Sequence, residues 1–296
     1  MKGDTLSRVL CDRFHVRAYC VSTLETVRTI AGMHGASHIE SIALGRGISA
    51  VALLGASLKP GSSQSIAVRF TGSGIMKEIH GQADATGNIR AYVVPGEINT
   101  DQNAHPESAL FRVGMLSVKK DLGMREPYYY TGPLQYGDIA MDIAYYLTVS
   151  EQVPSAIILG CKTVPDGSIS VSGGLLIQTL PETPGEVIEM IEKNITSRDL
   201  TLAAHMEQGG TVIEYLHGIL EGAPLAVLDE SPQRFACRRG RRETAELLER
   251  LPRNDILEMI EKDGGAEVEC GFCRTKYRFS SNELSEILER NDAKYH

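Results

Sequence analysis

SHIESIALGRGISAVALLGASLK (residues 37–59) decides how the rest of the chain is read. Ile42, Leu44, Ile48, Val51, Leu54 and Leu58 recur at helical spacing, yet together they cover most faces of the helix. A helix with one wet side shows a narrower apolar stripe, so this stretch predicts a buried helix. Just beyond it the period changes. SIAVRFTGSG, MKEIHGQADATGNIRAYVV, GMLSVKKDLG, EPYYYTGPL and GSISVSGGLLIQTL are short strand-like runs broken by Gly, Asn and Asp turns. ATGNIRAYV reads as a hairpin turn entering a strand. VRAYCVSTLETVRTI (16–30) reads as a strand running into a helix, and IAMDIAYYLTVSEQ as a further helix. The pattern is α+β: hairpin-built β-sheets packed with helices.

The chain has 296 residues, enough for one large domain or two ordinary ones. Apolar residues make up 42%, which supports a packed core. Trp is absent and aromatics are 6%, which argues against stacking platforms for single-stranded nucleic acid. Residues 231–296 carry 13 basic and 13 acidic side chains, so residues 1–230, with 17 and 25, hold the whole net charge of −8. That balance argues against broad attraction to phosphate or anionic lipid, and a neutral tail on an acidic body suggests two modules. The start, MKGDTLSRVLCDRF, lacks an apolar signal core, and no run is long enough to span a bilayer. The expectation is a cytoplasmic protein with no membrane partner, whose six cysteines serve as thiols, metal ligands or switches.

Two prolines in LPETPGE (180–186) mark a boundary. The expected organisation is a body over 1–182, a helical linker over 183–230 and a small tail over 231–296. In the linker, Val187, Ile188, Ile191 and Ile195 form one helical stripe, and TVIEYLHGILEG has a similar narrow apolar face. These helices are expected to dock on the body, or to mask it only marginally. In the tail, RETAELLERL and NDILEMIEKDGG read as short helices, with Asn254 as cap and Gly264-Gly265 as stop. AEVEC and KYRFS flank a CGFC turn as strands, and Ser280 with Glu283 forms a capping box before a last helix. So few apolar groups make a thin core, and such a module usually needs a staple.

Cys270 and Cys273 stand as C-x-x-C in a Gly-containing turn, a spacing that lets two thiolates converge on one tetrahedral ion. Cys237 is a good third ligand. A complete clasp would add a fourth thiol close to Cys237, but position 239 is Arg and position 240 is Gly.

At these residues the chain resembles the heat-shock protein 33 family, the redox-regulated 33-kDa holdase chaperones. The resemblance runs nearly end to end: VRAY, ALGRGISAVALLGASLK, GSGIMKEIHGQADATGNIRAYV, GMLSVKKDLG, YYLTVSEQVPSAI, GGLLIQTLPE and the tail FAC…VECGFCRTKYRF. It implies a client-binding body and a zinc-type redox-switch tail. In that family a C-x-C and a C-x-x-C hold zinc as four thiolates. Motif by motif, Cys237 is the first thiol of the C-x-C, Cys270 and Cys273 are the C-x-x-C, and Arg239 stands at the missing fourth. The resemblance also implies the mechanism. Oxidation converts thiolates to disulfides, zinc leaves, tail and linker unfold, and the body holds unfolded clients without ATP, as a homodimer in the active form. Arg239 leaves three readings open. Three thiolates hold zinc more weakly, with water, Glu243 or His296 as a fourth ligand. No zinc binds, and Arg238, Arg239, Arg241 and Arg242 stabilise a Cys237 thiolate instead. Or the tail is poorly ordered and the chaperone is always active. In each, Cys270–Cys273 can close a disulfide while Cys237 lacks its partner.

Rival readings are weaker. CGFC fits a thiol-disulfide oxidoreductase in letters, but that chemistry wants the first thiol at a helix N-terminus, and RTKYRF is strand-like. A zinc-ribbon nucleic-acid binder is the other rival, and Arg238–Arg242 reads more simply as a solvated loop. GRGISA (45–50) fits a dinucleotide pattern within a helical run, so helix-packing glycines explain it better and no nucleotide is expected. Cys11, Cys20 and Cys161 read as buried inert thiols. His34 and His38 have i, i+4 spacing but no supporting ligand. The chain is expected not to be an enzyme.

Overall fold

The computed structural model describes residues 3–96, 110–238 and 240–294, so Arg239 and His296 lie outside the described residues. The chain divides into two compact units, Met1–Ala236 and Cys237–His296.

The first unit begins with a hairpin of β1 (Thr5–Cys11) and β2 (Val16–Ser22), followed by α1 (Leu24–His34) and α2 (His38–Gly55). The carboxylate of Asp4 accepts the backbone N–H groups of Glu25 and Thr26, which ties down the start of α1. A Ser37–Glu40 capping box opens α2. Five strands come next: β3 (Ser65–Ser73), β4 (Met76–Asp84), β5 (Asn88–Pro95), β6 (Val113–Asp121) and β7 (Tyr128–Pro133). Then come α3 (Ile139–Val149), β8 (Ser155–Thr163) and β9 (Ile169–Thr179). The helices α4 (Gly185–Thr196), α5 (Leu202–Glu207) and α6 (Val212–Ile219) lead into β10 (Ala226–Pro232) and β11 (Arg234–Phe235).

Two sheets result. The order β10-β1-β2-β9-β8 is antiparallel throughout; in β11-β5-β4-β3-β6-β7 only the short β11–β5 pair is parallel. Helix α2 packs on β2, β8 and β9 of the first sheet and on β3, β4 and β5 of the second. This is why its sequence is apolar on most faces: every residue from Ser41 to Gly55 is buried except Arg46. The glycines of GRGISA let it sit this close. A Cβ on Gly45 would fall 2.3 Å from Cys161 Sγ, and one on Gly47 would fall 2.8 Å from Ile79 Cγ2. The ATGNIRAYV turn forms as expected, with Gly87 at φ 80° and the Asp84 carboxylate accepting from Thr86 N and Asn88 N.

Helices α4 to α6 cover the other face of the first sheet. Val16, Ala18, Leu175 and Ile177 meet Ile191, Leu202, Tyr215, Leu216 and Ile219 there in a second core. Strands β2 and β9 are therefore covered on both faces, and β9 reads as a nearly continuous buried run. Residues 226–235, expected to divide between linker and tail, form β10 and β11 of this first unit. Their side chains are mostly exposed, as on an edge strand, so they carry no period-2 apolar signal.

The second unit holds α7 (Arg241–Leu248), α8 (Arg253–Glu261), the hairpin β12 (Gly265–Glu269) and β13 (Lys276–Ser280), and α9 (Ser281–Lys294). Its core is Leu248, Ile256, Phe279, Leu284, Ile287 and Leu288. The Ser280–Glu283 capping box is present, with Ser280 N–H donating to the Glu283 carboxylate at 2.9 Å. Asn254 does not cap α8. Pro252 holds the N-cap position, with no side-chain cap, and Asn254 falls within the first turn.

Candidate functional site

Cys270 and Cys273 are brought together by the turn between β12 and β13. Cys270 N–H donates to Thr275 O and Arg274 N–H donates to Cys270 O, both at 2.9 Å, with Arg274 in the left-handed region at φ 59°. This tight reversal turns both thiols to one side. Cys237, 33 residues earlier, places its sulfur 3.8 Å from that of Cys270. The three ligand atoms lie within 4.8 Å of one another. Cys270 is buried, and Cys237 and Cys273 are half-buried.

The spacing of the sulfurs suits three corners of a zinc tetrahedron. Ligands about 2.3 Å from a tetrahedral centre stand about 3.8 Å apart, which is the Cys237–Cys270 separation. Among the described residues no histidine or carboxylate joins the three sulfurs. Glu243 turns elsewhere: its carboxylate accepts Gly240 N–H at 2.9 Å and opens α7. The other candidate fourth ligand, His296, and the displaced fourth position, Arg239, lie outside the described residues.

The thiols are not equivalent. Burial pushes the Cys273 thiol up, but hydrogen bonding from Thr275, Cys270 and Cys237 outweighs it and holds the group below its ordinary value. The Thr275 hydroxyl lies 3.2 Å from Cys273 Sγ. Cys11, Cys20 and Cys161 are buried in the first unit, and burial pushes Cys20 up to about 12, which makes it a poor nucleophile.

The CGFC turn lies between two strands, so helix-dipole activation of the kind an oxidoreductase uses is not available to it. Arg241 pairs with Glu283 at 2.5 Å and lies over the Phe279 ring, and Arg242 pairs with Glu243. These two arginines are engaged within the unit rather than gathered for phosphate. His34 ends α1 and His38 begins α2, so their i, i+4 spacing crosses a helix break at Gly35.

In the first unit the linker stripe lands on the second core. Ile191 is buried there, and Val187 and Ile195 pack beside it. Ile188 lines, with Ile191, Ala156 and Ile177, a cavity of about 200 Å³ beneath α4. The PYYYTGPL stretch forms β7, an edge strand, with Tyr129 64% exposed. A neighbouring feature went unread: Met141, Tyr145 and Val149 make an exposed apolar stripe on α3, legible as i, i+4, i+8 spacing.

A body of two sheets around one buried helix, joined to a small unit of converging thiols, defines a protein whose distinctive chemistry lies at sulfur. The chain matches the family described as Hsp33 protein over residues 4–280. It is 34% identical over 288 residues to the 33 kDa chaperonin of Syntrophotalea carbinolica, covering 96% of this chain and 99% of that one. To the 33 kDa chaperonin of Citrifermentans bemidjiense it is 36% identical over 288 residues, covering 96% and 97%. The crystal structure of the 33 kDa chaperonin of Thermotoga maritima, described as a heat shock protein 33 homolog, superposes with a TM-score of 0.85 at 28% identity, covering 99% of this chain and 100% of that one. The chain belongs to the Hsp33 family and so is a chaperone by kinship. Among the described residues, no helix is long and apolar enough to cross a membrane.

Proposed function

We propose that the chain is an ATP-independent holdase of the cytoplasm that binds unfolded proteins under oxidative stress and prevents their aggregation. The observation that carries this reading is the convergence of three thiols inside a unit with a thin apolar core. The body within residues 1–182 binds clients, the helices within 183–230 mask the client surface through Val187, Ile188, Ile191 and Ile195, and the second unit, 237–296, acts as the switch. The active form is a homodimer.

Cys237, Cys270 and Cys273 are the residues that hold zinc. Bound there, the ion supplies a cross-link between chain positions far apart in sequence, and in such modules metal binding and folding share one free energy. Oxidation acts on the sulfurs. Two thiols and one hypochlorous acid give one disulfide, one chloride, one proton and one water. Cys270 and Cys273 form that disulfide, and a sulfur pair must close to about 2.05 Å to do so. That removes two of the three ligands and leaves Cys237 reduced. A switch of two disulfides, as the family resemblance implies, becomes a switch of one.

The test uses the reduced full chain. Zinc is measured by colorimetric release, and suppression of thermal aggregation is measured before and after hypochlorite. About one zinc per chain, released as suppression appears, is the expected result. Equal suppression in both states would remove the redox control, and no suppression in either would remove the holdase reading.

A further inference from the structure

We infer that the three-thiol cluster is a selective site for monovalent copper, for which it is coordinatively complete, whereas for zinc the described residues supply one ligand too few. This deepens the proposed reading of the cluster and rests on its three sulfurs acting as ligands.

Coordination number carries the argument. Zinc in a structural site takes four protein ligands, tetrahedrally. The described residues offer three, and position 239, where a fourth thiol would be sought, is arginine. Among the described residues, nothing supplies a zinc ion with its fourth ligand. Monovalent copper is soft, prefers thiolates, and is satisfied by three of them in a plane. A triangle with sides of 3.8 Å, the Cys237–Cys270 separation, has its centre about 2.2 Å from each corner, a normal copper–sulfur bond length. The third sulfur is within 4.8 Å of both, on a half-buried side chain.

One copper(I) and three thiolates sum to −2, and binding to the neutral thiols releases three protons. Burial of Cys270 keeps competing water from at least one sulfur.

The experiment is an anaerobic titration of the reduced, metal-free full chain with copper(I), supplied as its acetonitrile complex, against the chromogenic chelator bicinchoninate. The expected result is one copper withdrawn per chain, with X-ray absorption showing three sulfur scatterers. The zinc-loaded chain should release its zinc on addition of one equivalent of copper(I). Cys237→Ser should weaken copper binding by at least about 100-fold, because loss of an outer-shell partner alone already costs about 10- to 100-fold. Arg239→Cys should raise zinc affinity and narrow the preference for copper. Two sulfur scatterers, zinc retained against copper, or Cys237→Ser binding copper as the parent does would each overturn the inference. Circular dichroism of Cys237→Ser separates ligand loss from failure to fold, and the scatterer count on the parent decides the matter if the variant does not fold. Copper binding is read spectroscopically and chaperoning by light scattering. A chain that holds clients on oxidation but ignores copper refutes this inference alone; one that takes copper but never holds clients refutes only the proposed function.

Discussion

Replacing Ile191 tests whether α4 masks a client surface. Ile191 is the one buried residue of α4, while Val187, Met190 and Ile195 are half-buried against the same core. Full burial of such a side chain is worth about 1.5–3 kcal/mol, so the docking of α4 rests on roughly 4–7 kcal/mol of apolar burial before ordering costs. Ile191→Ala removes about 2–3 kcal/mol of this, towards the low end for such a change. The cavity of about 200 Å³ beside Ile191 shows that its surroundings are already loosely filled. A loss of that size raises the open population of α4 about 30- to 140-fold. Hydrogen exchange on the reduced protein reads it directly. Amides of α4 should exchange faster by that factor, while those of α2, in the other core, keep their protection. Suppression of aggregation without oxidant should rise in step, and Ile191→Asp should raise it further. If α4 opens by the stated factor and suppression stays at the parent level, the masking idea is wrong.

Gly45→Ala should destabilise the first unit by about 1–3 kcal/mol in urea unfolding despite alanine's better helix propensity, and adding Cys161→Ala should restore part of the loss. Unchanged stability in Gly45→Ala would mean that α2 has room to shift. In brief alkylation of the reduced chain, Cys237 and Cys273 should label well ahead of Cys11, Cys20 and Cys161, as read by peptide mass; early labelling of Cys20 would contradict its burial. The Glu283 carboxyl is held at about 2 by Ser280 N–H, Arg241 and the Ser280 hydroxyl, in that order. A carboxyl depressed in the folded state stabilises above its unfolded value near 4.5 and loses that contribution as pH falls towards 2. The metal-free second unit should therefore lose stability across that window, and Glu283→Gln should flatten the loss while lowering stability at neutral pH.

What was legible in the sequence followed from how many faces each element buries. α2 meets a sheet on each side, so its apolar residues cover most faces and its buried position could be read directly. The hairpins announced themselves through turn residues such as Asp84 and Gly87, whose local hydrogen bonds need no tertiary context. β10 could not be read, because an exposed edge strand is held by backbone bonds to β1, which leave no trace in side-chain pattern. Asn254 misled because local propensity favoured a cap that Pro252 had already taken. At the site, the C-x-x-C turn was legible from spacing alone. The closeness of Cys237, 33 residues away, rested on resemblance and needed the fold to show it.

The path from sulfur to the masking helices, on the proposed reading, runs along the chain itself. Cys237 lies two residues beyond Phe235, the end of β11, which holds the edge of the second sheet through a two-residue pairing. Gln233 N–H donates to Asp4 O, and β10 before it lies on the edge of the first sheet. β10 in turn follows α6, which shares its core with α4. β10 and β11 are edge strands, with side chains largely in water and pairing on one side only. Such elements open at the low end of the stability range. On the proposed reading, a folded second unit restrains this segment at Cys237, and an unfolded one no longer does. Control therefore depends less on how many disulfides form than on whether the thin-cored unit stays folded. On the proposed reading, one disulfide that removes two of three ligands is enough to decide that.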